Sequence, residues 1–220
     1  LITESGKLRF IGGMELDTTK GKIAGFEEAA KYVAEQEGKT VELLNVPYAN
    51  SFSDAPKGKE FATELIAQGA HNIELVTATH FLPWILPTLE PRLPVPVVYN
   101  CGGYERVETL KELEGLVDIY LPDMKYASST LAAQLSRAGD YPEVAKAAIR
   151  EMVRQTGPVL WQGDRVIRGT IIRHLILPGQ VENSLKVLDW IGETFRPGEV
   201  LVSLMRQYTP VGGQQPPLDR

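Results

Sequence analysis

Apolar, β-branched runs punctuate the chain at residues 7–11, 41–45, 73–77, 95–100, 117–121, 170–177 and 200–204. Between most of them apolar residues recur three and four apart, the spacing of one helix face. Phe26, Ala29, Ala30 and Val33 form one such set, Phe61, Leu65 and Ile66 a second, Leu185, Leu188 and Ile191 a third. The runs VPVVYN and VDIYL are apolar on both faces, as central parallel strands are. Strands alternating with helices predict right-handed βαβ units and a mostly parallel sheet. The expected fold class is α/β: a partial (β/α)6-type barrel of parallel strands with an extra N-terminal strand–helix unit, an open doubly wound sheet being the second choice. The helical stretch 128–156 divides near Gly139, Asp140 and Pro142, and Gln162-Gly163-Asp164-Arg165 reads as the turn of a small hairpin. The expected division is an N-terminal unit over 1–40, the barrel over 41–210, and a tail over 211–220 with turn residues and no periodicity.

Parallel α/β folds gather reactive groups at the C-terminal ends of their strands. Those ends carry Thr77, Thr79 and His80; Asn100, Cys101, Gly102 and Gly103; Asp123 and Lys125; Arg173 and His174; and Gln207. The threonine hydroxyls and nearby carbonyls offer acceptors to an ammonium, while Thr79 also suits the cap of a short helix starting near Phe81. Asp123 and Lys125 share a face if extended, with Met124 on the other. They suit ribose hydroxyls and a carboxylate, or simply each other. A desolvated lysine there would also suit Schiff-base chemistry. Arg173 and His174 point to opposite faces; a guanidinium pairs bidentately with a carboxylate, and the imidazole serves as a proton carrier or as a hydrogen-bonded core residue. Gln207 follows the last strand and would close the site from that side. His71 precedes its strand and reads as structural. Two histidines, His80 and His174, fall short of the three ligands a metal centre normally needs.

Composition narrows the field. Hydrophobic residues at 43% and charged residues at 23% suit a folded soluble domain. A net charge of -5 with scattered Lys and Arg gives no footprint for nucleic acid. No apolar run is long enough to span a bilayer, no signal-peptide pattern opens the sequence, and no membrane partner is expected. Cys101 is the single cysteine, which excludes an internal disulfide and points to a reducing, cytoplasmic setting. It reads as a small core hydrophobe, since no base stands near it in sequence.

Five strand-end stretches in order, GAHNIELVTATHF, VYNCGGYE, VDIYLPDMKY, IRHLILPG and VSLMRQYTP, resemble the motifs of radical S-adenosylmethionine (SAM) proteins related to pyruvate formate-lyase activating enzyme. The resemblance covers about residues 60–210. It implies a barrel with SAM bound at the strand ends by Thr77, Thr79, His80, Asn100, Asp123, Lys125, Arg173, His174 and Gln207. It further implies a [4Fe–4S] cluster on a CxxxCxxC loop, reductive cleavage of SAM, and a glycyl-radical-type protein as partner. Here the corresponding loop reads VELLNVPYANSFSDAP, with Val46, Pro47, Tyr48 and Ala49 where a Cys-x-x-Cys segment is expected. Three or four thiolates hold such clusters. The expectation is therefore a divergent or incomplete activating-enzyme-like protein whose cluster ligands are absent. The alternatives are an inactive SAM-, nucleotide- or partner-binding barrel, and a lysine-dependent aldolase-like enzyme built on Lys125.

Overall fold

A computed structural model describes residues 7–11, 15–51 and 54–208. The chain divides into two compact units, Leu1–Ile73 with Thr79–Val95, and Glu74–Ala78 with Pro96–Arg220. The 211–220 tail lies outside the described residues.

In the first unit, β1 (Lys7–Leu8) and β2 (Glu42–Leu43) pair in parallel and flank α1 (Asp17–Gln36). Arg9 Nε donates to the carbonyl of Asn45 at 2.8 Å and its guanidinium lies 3.5 Å from Glu64, which ties β1 to α2 (Ala55–Ala67). The α2 start is legible in its residues: the Asp54 side chain accepts from the Lys57 amide, and a proline sits in the first turn. A 3-10 turn, Thr79–Phe81, leads into the short α3 (Leu82–Ile85). Ile23, Ala34, Ala62, Leu82 and Leu89 are the buried apolar residues of this unit.

The second unit is built on a sheet that holds β3 (Ile73–Val76), β4 (Val97–Cys101), β5 (Ile119–Pro122), β6 (Leu160–Gln162), β7 (Arg165–Leu175) and β8 (Val200–Met205). The order is β3-β4-β5-β7-β6, with β8 on β7. Pairing is parallel for β4–β5, β5–β7 and β7–β8, and antiparallel in the β6–β7 hairpin. This is an α/β fold with a mixed sheet of mostly parallel strands.

Helices α4 (Val107–Lys111), α5 (Ser129–Ser136), α6 (Tyr141–Thr156) and α7 (Val181–Thr194) connect these strands. The break expected near Gly139 is where α5 ends: Arg137 closes it in a left-handed conformation, and Pro142 opens α6. Along α6, Ala145, Ala148, Ile149 and Met152 are buried, one face at helical spacing. Ala145 and Ile149 meet Met124, Ile172 and, from α7, Val187 and Ile191 in one core.

Alternation along β7 decides what faces what. Thr170, Ile172 and His174 are buried against the helices, whereas Ile171, Arg173 and Leu175 lie on the opposite face and are half-buried. The parallel register sets Arg173 beside Ser203 and His174 beside Leu204. Among the described residues β8 has a strand neighbour on β7 only, and its Val202 and Leu204 are exposed.

Candidate ligand-binding site

A row of polar side chains crosses the strand ends on the face opposite the helices. The ladder continues past β5, with Asp123 bridged to Arg173, the Asp123 amide donating to the Cys101 carbonyl and the Met124 amide to that of Arg173. Arg173 Nη2 donates to Asp123 Oδ1 at 2.8 Å and to Asn100 Oδ1 at 2.7 Å. Asn100 Nδ2 donates to Glu74 Oε1 at 2.7 Å, and Lys125 Nζ to Asp123 Oδ2 at 2.6 Å. One hydrogen-bonded line, Glu74–Asn100–Arg173–Asp123–Lys125, thus spans four strands. A cavity of about 240 Å³ opens beside it, lined by Asp123, Lys125, Arg173, Leu175 and Met205.

Two cations share the single Asp123 carboxylate in this lining, so the recess holds a surplus positive charge with an apolar wall opposite. The buried Nε of Arg173 makes no hydrogen bond among the described residues. Charge-assisted bonds of this kind are the strong ones, and a fixed guanidinium fork suits a carboxylate or phosphate.

Nucleophilic chemistry has little to work with here. Burial pushes the Cys101 thiol up to about 12, against the opposing hydrogen bond from Gly103. A neutral, buried thiol is not a nucleophile. His174 is buried with both ring nitrogens engaged, Nδ1 with the Met124 carbonyl at 2.6 Å and Nε2 with Ser184 Oγ at 2.8 Å. It is enclosed by the helix side of the sheet, the setting of a hydrogen-bonded core residue, one of its two expected readings. Lys125 is partly exposed and ion-paired, the reverse of the desolvated setting that makes lysine a Schiff-base nucleophile.

The remaining expected residues scatter. Thr77 follows β3 at a φ of 53°, and its amide donates to the Asn100 carbonyl at 2.9 Å. Thr79 and His80 belong to the other unit, in the 3-10 turn, where the exposed His80 ring contacts Phe81. Gln207 is exposed beyond the end of β8. Of the nine, Asn100, Asp123, Lys125 and Arg173 come together, with Thr77 supporting Asn100 through its backbone. Three members of the site had no sequence reading: Glu74, which binds Asn100, and Leu175 and Met205 on the cavity wall. Strand alternation is the signal that points to the two apolar ones, since Leu175 and Arg173 are two apart and Met205 is in register with Leu175.

Comparison with known proteins adds a separate finding. Residues 1–86 match the model of the family described as Bmp, ABC transporter substrate-binding protein PnrA-like. Over 65 residues the chain is 37% identical to Basic membrane protein B of Borreliella burgdorferi and 38% identical to that of Borrelia garinii subsp. bavariensis. Each of these matches covers 30% of the chain and 18% of the relative. An uncharacterized protein of Methanocaldococcus jannaschii is 30% identical over 117 residues, covering 53% of the chain and 30% of that protein. The matched parts therefore span less than a third of each relative's length. No solved structure matches the chain.

These matches overturn the expected kinship with radical SAM activating enzymes: the family model that matches, over residues 1–86, is the PnrA-like one. With the kinship go the activating-enzyme function, SAM and the [4Fe–4S] cluster as cofactors, and a glycyl-radical protein as partner. The inactive SAM barrel and the lysine-dependent aldolase gain no support either. The physical reason lies in the motifs themselves. Parallel α/β sheets commonly carry polar residues where their apolar strands end, so the order of such stretches along the chain reports the architecture more than the chemistry. The chemistry would also need several thiolates, and the chain has one.

Proposed function

We propose that the chain binds a small polar solute without transforming it, as part of a solute-uptake system of the ABC transporter substrate-binding kind. The observation that carries this reading is the match of residues 1–86 to the PnrA-like family. The second unit supplies a compatible recess. Lys125 and Arg173 meet an anionic group on the solute, Asp123 accepts from a hydroxyl or ammonium, and Leu175 with Met205 covers an apolar part. The sheet of the second unit is, in this reading, a barrel segment with the recess at its mouth; the parallel β4, β5, β7 and β8 with polar residues at their C-terminal ends support it.

Calorimetric titration of the full chain with amino acids, dicarboxylates, sugars and nucleosides tests the reading. Saturable heat is expected for at least one anionic class, weakened tenfold or more by Arg173→Met, with the solute recovered unchanged by mass spectrometry. Absence of heat from every class, or conversion of the solute, overturns it.

A further inference from the structure

Residues 123–127 carry two of the three charged side chains of the recess, yet past the bridge at Asp123 they belong to no strand or helix. A segment without its own ladder needs other partners for its backbone groups. It finds them in three buried side chains from three different elements. The Tyr141 hydroxyl, on α6, accepts from the Lys125 amide at 3.0 Å, and its proton points between the carbonyls of Asp123 at 2.8 Å and Gly102 at 2.9 Å. A hydroxyl has one proton and two lone pairs, so the two carbonyls share its proton and the Lys125 amide takes one lone pair. His174, on β7, bonds the Met124 carbonyl. Asn183, on α7, donates to the Lys125 carbonyl at 3.0 Å and accepts from the Ala127 amide at 2.9 Å.

Lys125 is thus held at both its N–H and its C=O by side chains from two helices, while its own side chain reaches out to Asp123. The Tyr141 ring is itself fixed, stacked on Tyr104 at 5.8 Å and edge-on to Tyr126 at 5.4 Å. Burial raises the Tyr141 phenol above its ordinary value, so it keeps its proton at neutral pH. Gly103 closes the clamp: a Cβ there would collide with the Asp123 carbonyl. None of Tyr141, His174 and Asn183 lines the recess.

We infer that Tyr141, His174 and Asn183 are positioning residues, which hold the backbone of residues 123–127 so that Asp123 and Lys125 present a fixed carboxylate and ammonium to the solute. The functional part of this inference rests on the solute-binding reading; the clamp stands on the hydrogen bonds.

Two variants test it without removing bulk. Tyr141→Phe keeps both ring contacts and deletes the hydroxyl. Asn183→Asp keeps the acceptor for Ala127 and deletes the donor to Lys125. Amide hydrogen exchange followed by NMR is expected to show Lys125 protection falling at least tenfold in Tyr141→Phe, with the Ile172 amide changed less than twofold. Acetate, titrated as an anionic probe and read at the Lys125 signals, is expected to bind at least threefold more weakly to both variants. Tyr104→Phe, which leaves the clamp in place, is expected to match the parent in both measurements. Unchanged Lys125 protection, or an equal rise in exchange across the whole chain, overturns the positioning role. Failure of the parent protein to bind acetate, with the exchange result intact, counts against solute binding and leaves the clamp standing; a clamp-deficient variant that binds acetate as tightly as the parent overturns the link between the two.

Discussion

Asp123 stands 2.6 Å from the Lys125 ammonium and 2.8 Å from the Arg173 guanidinium, and the longer contact is the more buried one. The Lys125 side chain is 44% exposed, that of Arg173 25%. Water screens the lysine pair and its flexible stem loses freedom on pairing, whereas Arg173 is also bonded to Asn100 and has little else to turn to. Double-mutant cycles with Asp123→Asn measure this. The coupling with Arg173→Met is expected at about 1–2 kcal/mol, and with Lys125→Met below about 0.5 kcal/mol. Equal couplings would show that distance rather than exposure governs the pair.

Gly103 sits at a φ of 77°, against the Asp123 carbonyl and the Tyr141 hydroxyl. Alanine there is strained by conformation and by contact together. Gly103→Ala is expected to lose about 2–3 kcal/mol in urea unfolding. Gly102→Ala is the control: its nearest neighbour is the Lys125 Cε at 4.0 Å, and the expected loss is below about 1 kcal/mol.

Acid should loosen the second unit through Glu151. Arg154, bonded to it at 2.8 Å and also to Glu114, holds the Glu151 carboxyl down to about 2, with a further bond from Gln155 and against its burial. A carboxyl depressed in the folded state contributes stability that is full above its unfolded value and is lost as pH falls through the folded one. The window therefore runs from about pH 5 down to about 2. Arg154 is itself half exposed, so screening limits the effect to about 1–2 kcal/mol. Unfolding midpoints at pH 7 and pH 3 should differ less in Glu151→Gln than in the parent; a parallel drop in both would remove Glu151 from the account.

Cys101 is 2% exposed, and with its thiol pushed up to about 12 only roughly one molecule in ten thousand is ionised at pH 8. Labelling by a thiol-disulfide reagent is expected to be slow in the folded protein and to follow the unfolding rate on addition of urea. Rapid labelling of the folded protein would contradict the burial.

The strands and helices of the second unit were legible because burial imposes periodicity. VDIYL is mostly apolar and β5 is largely buried on both faces; the QGDR turn closes the β6–β7 hairpin as its residues suggest. In the first unit the runs at 7–11 and 41–45 shrink to two-residue strands, since each pairs only with the other. The site was half legible. Asp123, Lys125 and Arg173 stand at strand ends, where polar residues announce themselves. Tyr141 and Glu74 do not, because their partners Gly102 and Asn100 lie 39 and 26 residues away, and no local spacing encodes that contact. Thr77 is a related case. A β-branched residue is a poor guess for a left-handed backbone position, and only the folded arrangement, which brings its amide to Asn100, explains it.

Among the described residues one flank of β8 has no strand neighbour, and this makes a sticky edge. An edge strand with two exposed apolar side chains, Val202 and Leu204, is a template on which another molecule can add a strand. Colloidal behaviour should therefore hinge on this edge: light scattering is expected to find aggregates growing with concentration, and a gatekeeper charge, Leu204→Lys, to suppress them at little expense to the fold.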